Sequence, residues 1–164
     1  MIKAILACDE QGGVARNGTL PWPKNTRDLT WFKENTQGHI VVMGSATWDD
    51  EHMPSPMPNR HNVVASNSNR VFVGADKVIS GNLPSEIRQI EQENLGFITW
   101  VIGGPNIINQ CLNIIDEFYI SRIPGEYNCD TFLPLDKIES MFDKAWSEVY
   151  NEVTFEIWKK NDKE

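Results

Sequence analysis

An aspartate set among apolar residues at helical spacing is the part of this sequence best suited to chemistry. Asp28 is followed by Leu29 and, one helical turn later, by Phe32, so the carboxylate and the ring share a face with Leu29 beside them. Burial among such neighbours disfavours the charged carboxylate and raises its pKa, unless a bound molecule presents hydrogen-bond donors to it. Asp28 also stands three positions after Asn25, the spacing of a capping box. The spacing alone is served equally well by an acid that only caps its helix.

Two further features could hold a ligand. Arg60, in Met57-Pro58-Asn59-Arg60, carries the planar fork that fits a carboxylate, although an arginine after a proline-rich loop serves equally as a solvated surface charge. The Gly103-Gly104 pair follows an apolar run, so backbone can approach a dinucleotide there and the next helix can turn its N-terminus toward a pyrophosphate. No Gly-x-Gly-x-x-Gly occurs, which argues against an ordinary Rossmann dehydrogenase. Three cysteines, Cys8, Cys111 and Cys129, and three histidines, His39, His52 and His61, show no ligand-like spacing, so no metal centre is expected and the thiols read as reduced and buried.

These residues need a scaffold, and the pattern supplies one. Ile2 to Cys8 reads as a strand buried on both faces. Residues 9–25 hold Gly12, Gly13, Gly18, Pro21 and Pro23, too many backbone punctuators for regular structure; a loop of that length in a compact domain is usually functional. Asn25 then caps a helix of about three turns running to Gly38. Ile40 to Met43 is a strand that ends at Gly44, with Ser45-Ala46-Thr47-Trp48 opening a helix. Strands follow at Asn62–Ser66 and, more weakly, at Val71–Val73 and Lys77–Ile79. Pro84 and Gly96 bracket a surface helix, Phe97–Ile102 is a strand, and Asn106–Asn113 is a helix. Glu117–Ile123, Ala145–Tyr150 and Thr154–Lys160 are the remaining strands, the last two forming a hairpin. The predicted fold is one α/β domain over residues 1–164, a mostly parallel sheet with a C-terminal antiparallel hairpin and helices on both faces.

The formal net charge of -8 argues against nucleic acid or an anionic membrane as the main partner and favours a small ligand. The N-terminus reaches Lys3, Asp9 and Glu10 too soon for a signal peptide, and no run approaches a membrane span, so a cytoplasmic protein is expected.

Taken together and in order, several signatures resemble the dihydrofolate reductase family from Ile2 to about Trp158. They are an apolar first strand, a Gly-rich loop ending in Leu20-Pro21-Trp22, the acid before Trp31-Phe32, Gly44 followed by Thr47-Trp48, Pro58-x-Arg60, Ile102-Gly103-Gly104, and Asp130-Thr131 near a Phe and a Pro. The resemblance implies NADPH-dependent reduction of dihydrofolate to tetrahydrofolate in one-carbon metabolism, by a monomer that antifolates such as methotrexate and trimethoprim would inhibit. It places Asp28 against the amidine edge of the pterin, with Ile5, Leu29, Phe32, Met57 and Ile102 around the substrate and Ser121 near the carboxylate. It assigns Arg60 to the carboxylate of the glutamate tail, and Leu20 and Trp22 to a mobile loop that closes over the reacting centre beside Asp28. For the cofactor it implies Ala7, Val14, Gly18, Gly44, Ser45, Ala46, Thr47, Ser66 and Asn67, together with Ile102 through Ile107, which include Gly103, Gly104, Pro105 and Asn106.

Two positions depart from the family's pattern. Ser45 and Ala46 stand where basic residues often follow the glycine, removing expected partners of the adenosine phosphate and implying a narrower preference for NADPH over NADH. Ile108 stands where an aromatic residue is frequent. The rival readings are a same-fold reductase of a pyrimidine in riboflavin synthesis and a folate-binding structural protein without turnover.

Overall fold

A computed structural model describes residues 1–18 and 20–161; Thr19 and residues 162–164, inside the span expected to form one domain, lie outside the described residues. In chain order the strands are β1 (Ile2–Cys8), β2 (Gly13–Ala15), β3 (Ile40–Gly44), β4 (His61–Ala65), β5 (Lys77–Ile79), β6 (Thr99–Gly103), β7 (Glu117–Arg122), β8 (Thr131–Phe132), β9 (Phe142–Tyr150) and β10 (Val153–Lys160). The helices are α1 (Thr26–Thr36), α2 (Ser45–Trp48), α3 (Leu83–Glu93), α4 (Pro105–Cys111) and α5 (Leu135–Met141).

Eight strands form one sheet in the order β5-β4-β3-β6-β1-β7-β10-β9, parallel from β5 through β7, with β10 and β9 antiparallel at the end. From β1 the chain reaches β3, two places along, and builds outward through β4 and β5. From β6, which fills the gap between β3 and β1, it passes to β7 on the other side of β1. The connections leaving β1 and β6 therefore diverge, and a crevice opens beyond the C-terminal ends of these neighbours, where open α/β sheets bind ligands.

The central strands are apolar because both faces are covered. Every residue of β3 and of β6 is buried. Alternation then sorts them. Ile40, Val42, Val63, Ala65 and Val101 pack with Leu83, Ile87 and Ile90 of α3 and Ile108 and Cys111 of α4. Val41, Met43, Val64, Trp100 and Ile102 pack on the opposite face, with Trp31 and Phe32 of α1 against them. Among the described residues no helix is long and apolar enough to cross a membrane.

Two local expectations are corrected and one helix is added. Val71–Val73 is not a strand: Phe72 is buried, but Val71 and Val73 project into solvent and the segment runs into a turn at Gly74, whose φ of 94° brings it onto Pro56. The 9–25 segment is not wholly irregular, since β2 pairs antiparallel with β8. The added helix is α5, which the pattern did not announce: its N-cap is Pro134, which offers no side-chain acceptor, and Ile138 is its one buried residue.

Candidate active site

α1 forms where expected, and its cap decides what Asp28 does. Asn25 Oδ1 accepts the Asp28 amide at 2.9 Å, so Asn25 supplies the cap and the Asp28 carboxyl is left for the cavity. The helix is held down by Trp31, whose ring lies 4.6 Å from that of Phe155, 5.9 Å from Tyr119 and 5.8 Å from Trp146, stacked on the last at 7°. On the same turn Arg27 lies over the Tyr150 ring at 4.0 Å. Asp28 thereby faces β1 and β7. Burial pushes its pKa up from 3.8, and the nearby Ser121 hydroxyl acts the other way. Ser121 Oγ is buried, does not line the cavity and has no other hydrogen-bond partner among the described residues, so the Asp28 carboxylate is what the site offers a ligand.

The cavity runs from this carboxylate to the end of β6. Ile5, Leu6 and Ala7 of β1 form its floor and Leu29 and Phe32 of α1 one wall; Ala46, Thr47, Asp50 and Met53 form the other wall, and Ile102, Gly103, Gly104 and Pro105 the far end. Val14, Ala15, Gly18, Leu20 and Thr131 close it from above. Sequence reasoning named most of these, but missed Leu6, Ala15, Asp50, Met53 and Thr131. Asp50 and Met53 lie past the end of α2, where no helical periodicity points to them.

The covering loop hangs on Asp9, a fully buried acid. Its Oδ1 accepts the amides of Gln11 at 2.9 Å and Gly13 at 2.8 Å, and its Oδ2 accepts the Tyr127 amide at 3.2 Å and the Cys129 thiol at 3.4 Å. Burial opposes the charge, yet these donors outweigh it and hold the carboxyl below its usual range. The junction is tight: a Cβ on Gly13 would meet the Cys129 Cβ at 2.4 Å. Further along, Asn17 donates its amide to Asp130 at 2.9 Å. Trp22 does not line the cavity; it is buried with Ile123, Val153 and Phe155, edge-on to Tyr127 at 5.9 Å, and so anchors the loop.

Arg60 sits beyond the cavity. Its Nε donates to Thr36 Oγ1 at 3.0 Å and its Nη1 to the Pro58 carbonyl at 3.3 Å, and its guanidinium lies 5.8 Å from the Phe32 ring centre. Asp28, Phe32 and Thr36 fall on one stripe of α1 at intervals of four, so the helix leads from the carboxylate past the ring to this cation. Burial lowers the Arg60 pKa from the usual arginine value. Met57 is buried, its amide and carbonyl both bonded to the Asn62 side chain, and acts as backing for Arg60.

At the far end, Gly103 has φ of 133°, a conformation reserved for glycine, and Thr47 Oγ1 lies 3.3 Å from where its Cβ would be. A Cβ on Gly104 would meet nothing within 4 Å, so its backbone is open. In the first turn of α4, Asn106 and Ile107 carry amides without helical acceptors. A Cβ on Gly44 would lie 3.3 Å from Ile107 Cγ1, Ser45 and Ala46 are exposed, and Ser66 and Asn67 lie at the end of β4, where Asn67 Oδ1 accepts the Gly81 amide. Arg70 is not a free cation near this turn: it forms a two-pronged pair with Asp49 at 2.8 and 2.5 Å.

A parallel sheet opening on a glycine-lined slot, with a buried carboxylate at the other end, defines a protein that can seat a dinucleotide next to a protonatable heterocycle. The dihydrofolate reductase family model matches residues 1–160, and the chain belongs to that family. A dihydrofolate reductase of Mycobacterium leprae is 31% identical, covering 93% of this chain and 88% of its own. A type 8 dihydrofolate reductase of Escherichia coli is 25% identical, covering 98% and 96%. The solved dihydrofolate reductase of Enterococcus faecalis, complexed with NADP(H) and RAB-propyl, is 28% identical and superposes with a TM-score of 0.78 over 99% of this chain and 97% of that one.

Proposed function

We propose that this protein reduces 7,8-dihydrofolate to tetrahydrofolate with NADPH, working as a single-domain cytoplasmic monomer. The observation that carries the reading is the Asp28 carboxylate, turned into an apolar cavity with the buried Ser121 hydroxyl beside it. Bound NADPH supplies the hydride. The residues supply the rest. Asp28 accepts two hydrogen bonds from the amidine edge of the pterin and favours its protonated form. Ile5, Leu29, Phe32 and Ile102 fix the ring plane, and Leu20, on a loop anchored by Trp22, excludes water. Arg60, aimed by Thr36, takes the carboxylate of the tail, with Met57 behind it.

The cofactor side fits the same reading. Gly103 and Gly104 leave room for a dinucleotide that any larger residue would restrict, and the open amides of Asn106 and Ile107 suit an anion. Ala7, Val14, Gly18 and Thr47 border the nicotinamide end, Pro105 and Gly44 the middle, and Ser45, Ala46, Ser66 and Asn67 the adenosine end. Neither a pyrimidine reductase nor a binding protein without turnover is favoured by the family match. Titration with methotrexate and trimethoprim, followed by quenching of tryptophan fluorescence, tests the assignment. Saturable binding of both, competitive with dihydrofolate, is expected, and indifference to both would refute it.

A further inference from the structure

The cavity holds a second acid that the pterin does not require. Asp50 lines it, with about one tenth of its side chain exposed, and among the described residues no lysine, arginine or histidine shares the lining. Its Oδ1 is taken by the His52 amide at 2.8 Å and the His52 ring at 3.0 Å, and its Oδ2 makes no hydrogen bond to the described residues. Its place in the wall is between the two ends of the cavity. Thr47, three residues earlier, abuts Gly103, and Met53, three residues later, packs in the cluster that contains Phe32. The backbone is fixed there by the Asp50 amide on the Thr47 carbonyl at 3.2 Å and by the Met53 amide on the Asp50 carbonyl at 3.1 Å.

Resting on the reaction assigned above, we propose that Asp50 is a specificity-determining residue that favours positively charged rings in this cavity, and above all the oxidised over the reduced nicotinamide. In that reaction a hydride leaves the dihydronicotinamide for the pterin ring and the adjacent nitrogen takes a proton from water. The nicotinamide ring is left with a positive charge. A carboxylate beside the junction of the two rings lowers the energy of that charge as it forms and retains the oxidised cofactor afterwards. NADP+ and NADPH differ at this ring by one charge while their phosphates are the same, so their affinity ratio isolates the effect.

The test is direct binding of NADP+ and of NADPH to the parent protein and to Asp50→Asn, by fluorescence titration in the absence of substrate. Asparagine keeps an oxygen for the His52 amide and removes only the charge; Asp50→Ser, checked for an unchanged melting temperature, is the second variant if the first is unstable. NADP+ is expected to weaken about five- to thirtyfold, the effect of one charge acting across a partly solvated cavity, while NADPH changes less than about twofold. Equal changes for both cofactors, or none, overturn the role of Asp50 and leave the assigned reaction intact. A parent protein that binds neither cofactor overturns both.

Discussion

Replacing Asp28 by asparagine should make the protein a worse enzyme and a more stable one. The carboxylate offers two anionic acceptors, each hydrogen bond to a charged group contributing about 1.5–3 kcal/mol net. Asparagine keeps one neutral acceptor and presents a donor where the ligand also has donors. A loss of about 1.4–4 kcal/mol of transition-state stabilisation follows, roughly tenfold to a thousandfold in kcat/KM near neutral pH. Stability moves the other way. Because burial holds the Asp28 pKa above 3.8 in the folded protein, the ligand-free fold carries a poorly solvated charge at neutral pH. That cost shrinks as pH falls through the folded pKa and vanishes below the ordinary carboxylate value, where the residue is neutral in both the folded and the unfolded chain. Asp28→Asn should therefore melt higher than the parent at pH 7, by ~2–4 °C for about 1 kcal/mol, and the difference should close in acid. Calorimetry without ligands from pH 7 to pH 3.5, run beside steady-state kinetics, reads both effects. Lower stability at pH 7 with near-parental turnover would refute the placement of this carboxylate.

Other residues give sharper signs. Thr36→Val removes the acceptor that aims Arg60 and should raise KM for dihydrofolate about fivefold, about 1 kcal/mol, with kcat little changed; Arg60→Lys, which loses the fork, should cost more and leave NADPH binding alone. Asp9→Asn should cost about 1–3 kcal/mol, as burial with weakened acceptors does. Since the Asp9 pKa is depressed, its contribution is full above the ordinary carboxylate range and lost as pH falls through the folded value, so the variant's deficit should shrink in acid melts. At the adenosine end, the preference for NADPH over NADH should fall below about a thousandfold, ~4 kcal/mol. Ser45→Arg should widen it and steepen its salt dependence, and Asp49→Ala, which releases Arg70, should widen it too.

What was legible beforehand followed from burial and backbone chemistry. The continuous apolar runs of β1, β3 and β6 read as strands covered on both faces, and Asn25 and Pro84 marked helix starts because their chemistry is local. Long-range pairings were not legible. β2 exists because Gly13 and Ala15 find Phe132 and Thr131 more than a hundred residues away, and nothing near Asp9 in the sequence marks it as the hub that fixes this junction. Val71–Val73 had strand-forming side chains but no neighbouring strand to bond. At the site, the floor and the carboxylate could be read from helical spacing and the resemblance, whereas Asp50 sits past the end of a four-residue helix, where no periodicity reaches.

The central claim is that the Asp28 cavity and the Gly103 slot together perform one reduction. The most direct measurement mixes purified protein with NADPH and dihydrofolate and follows absorbance at the cofactor's near-ultraviolet band. Steady consumption that needs both compounds, is blocked by methotrexate and falls at least tenfold in Asp28→Asn is predicted. Absence of turnover with either NADPH or NADH, or turnover indifferent to Asp28, would contradict it.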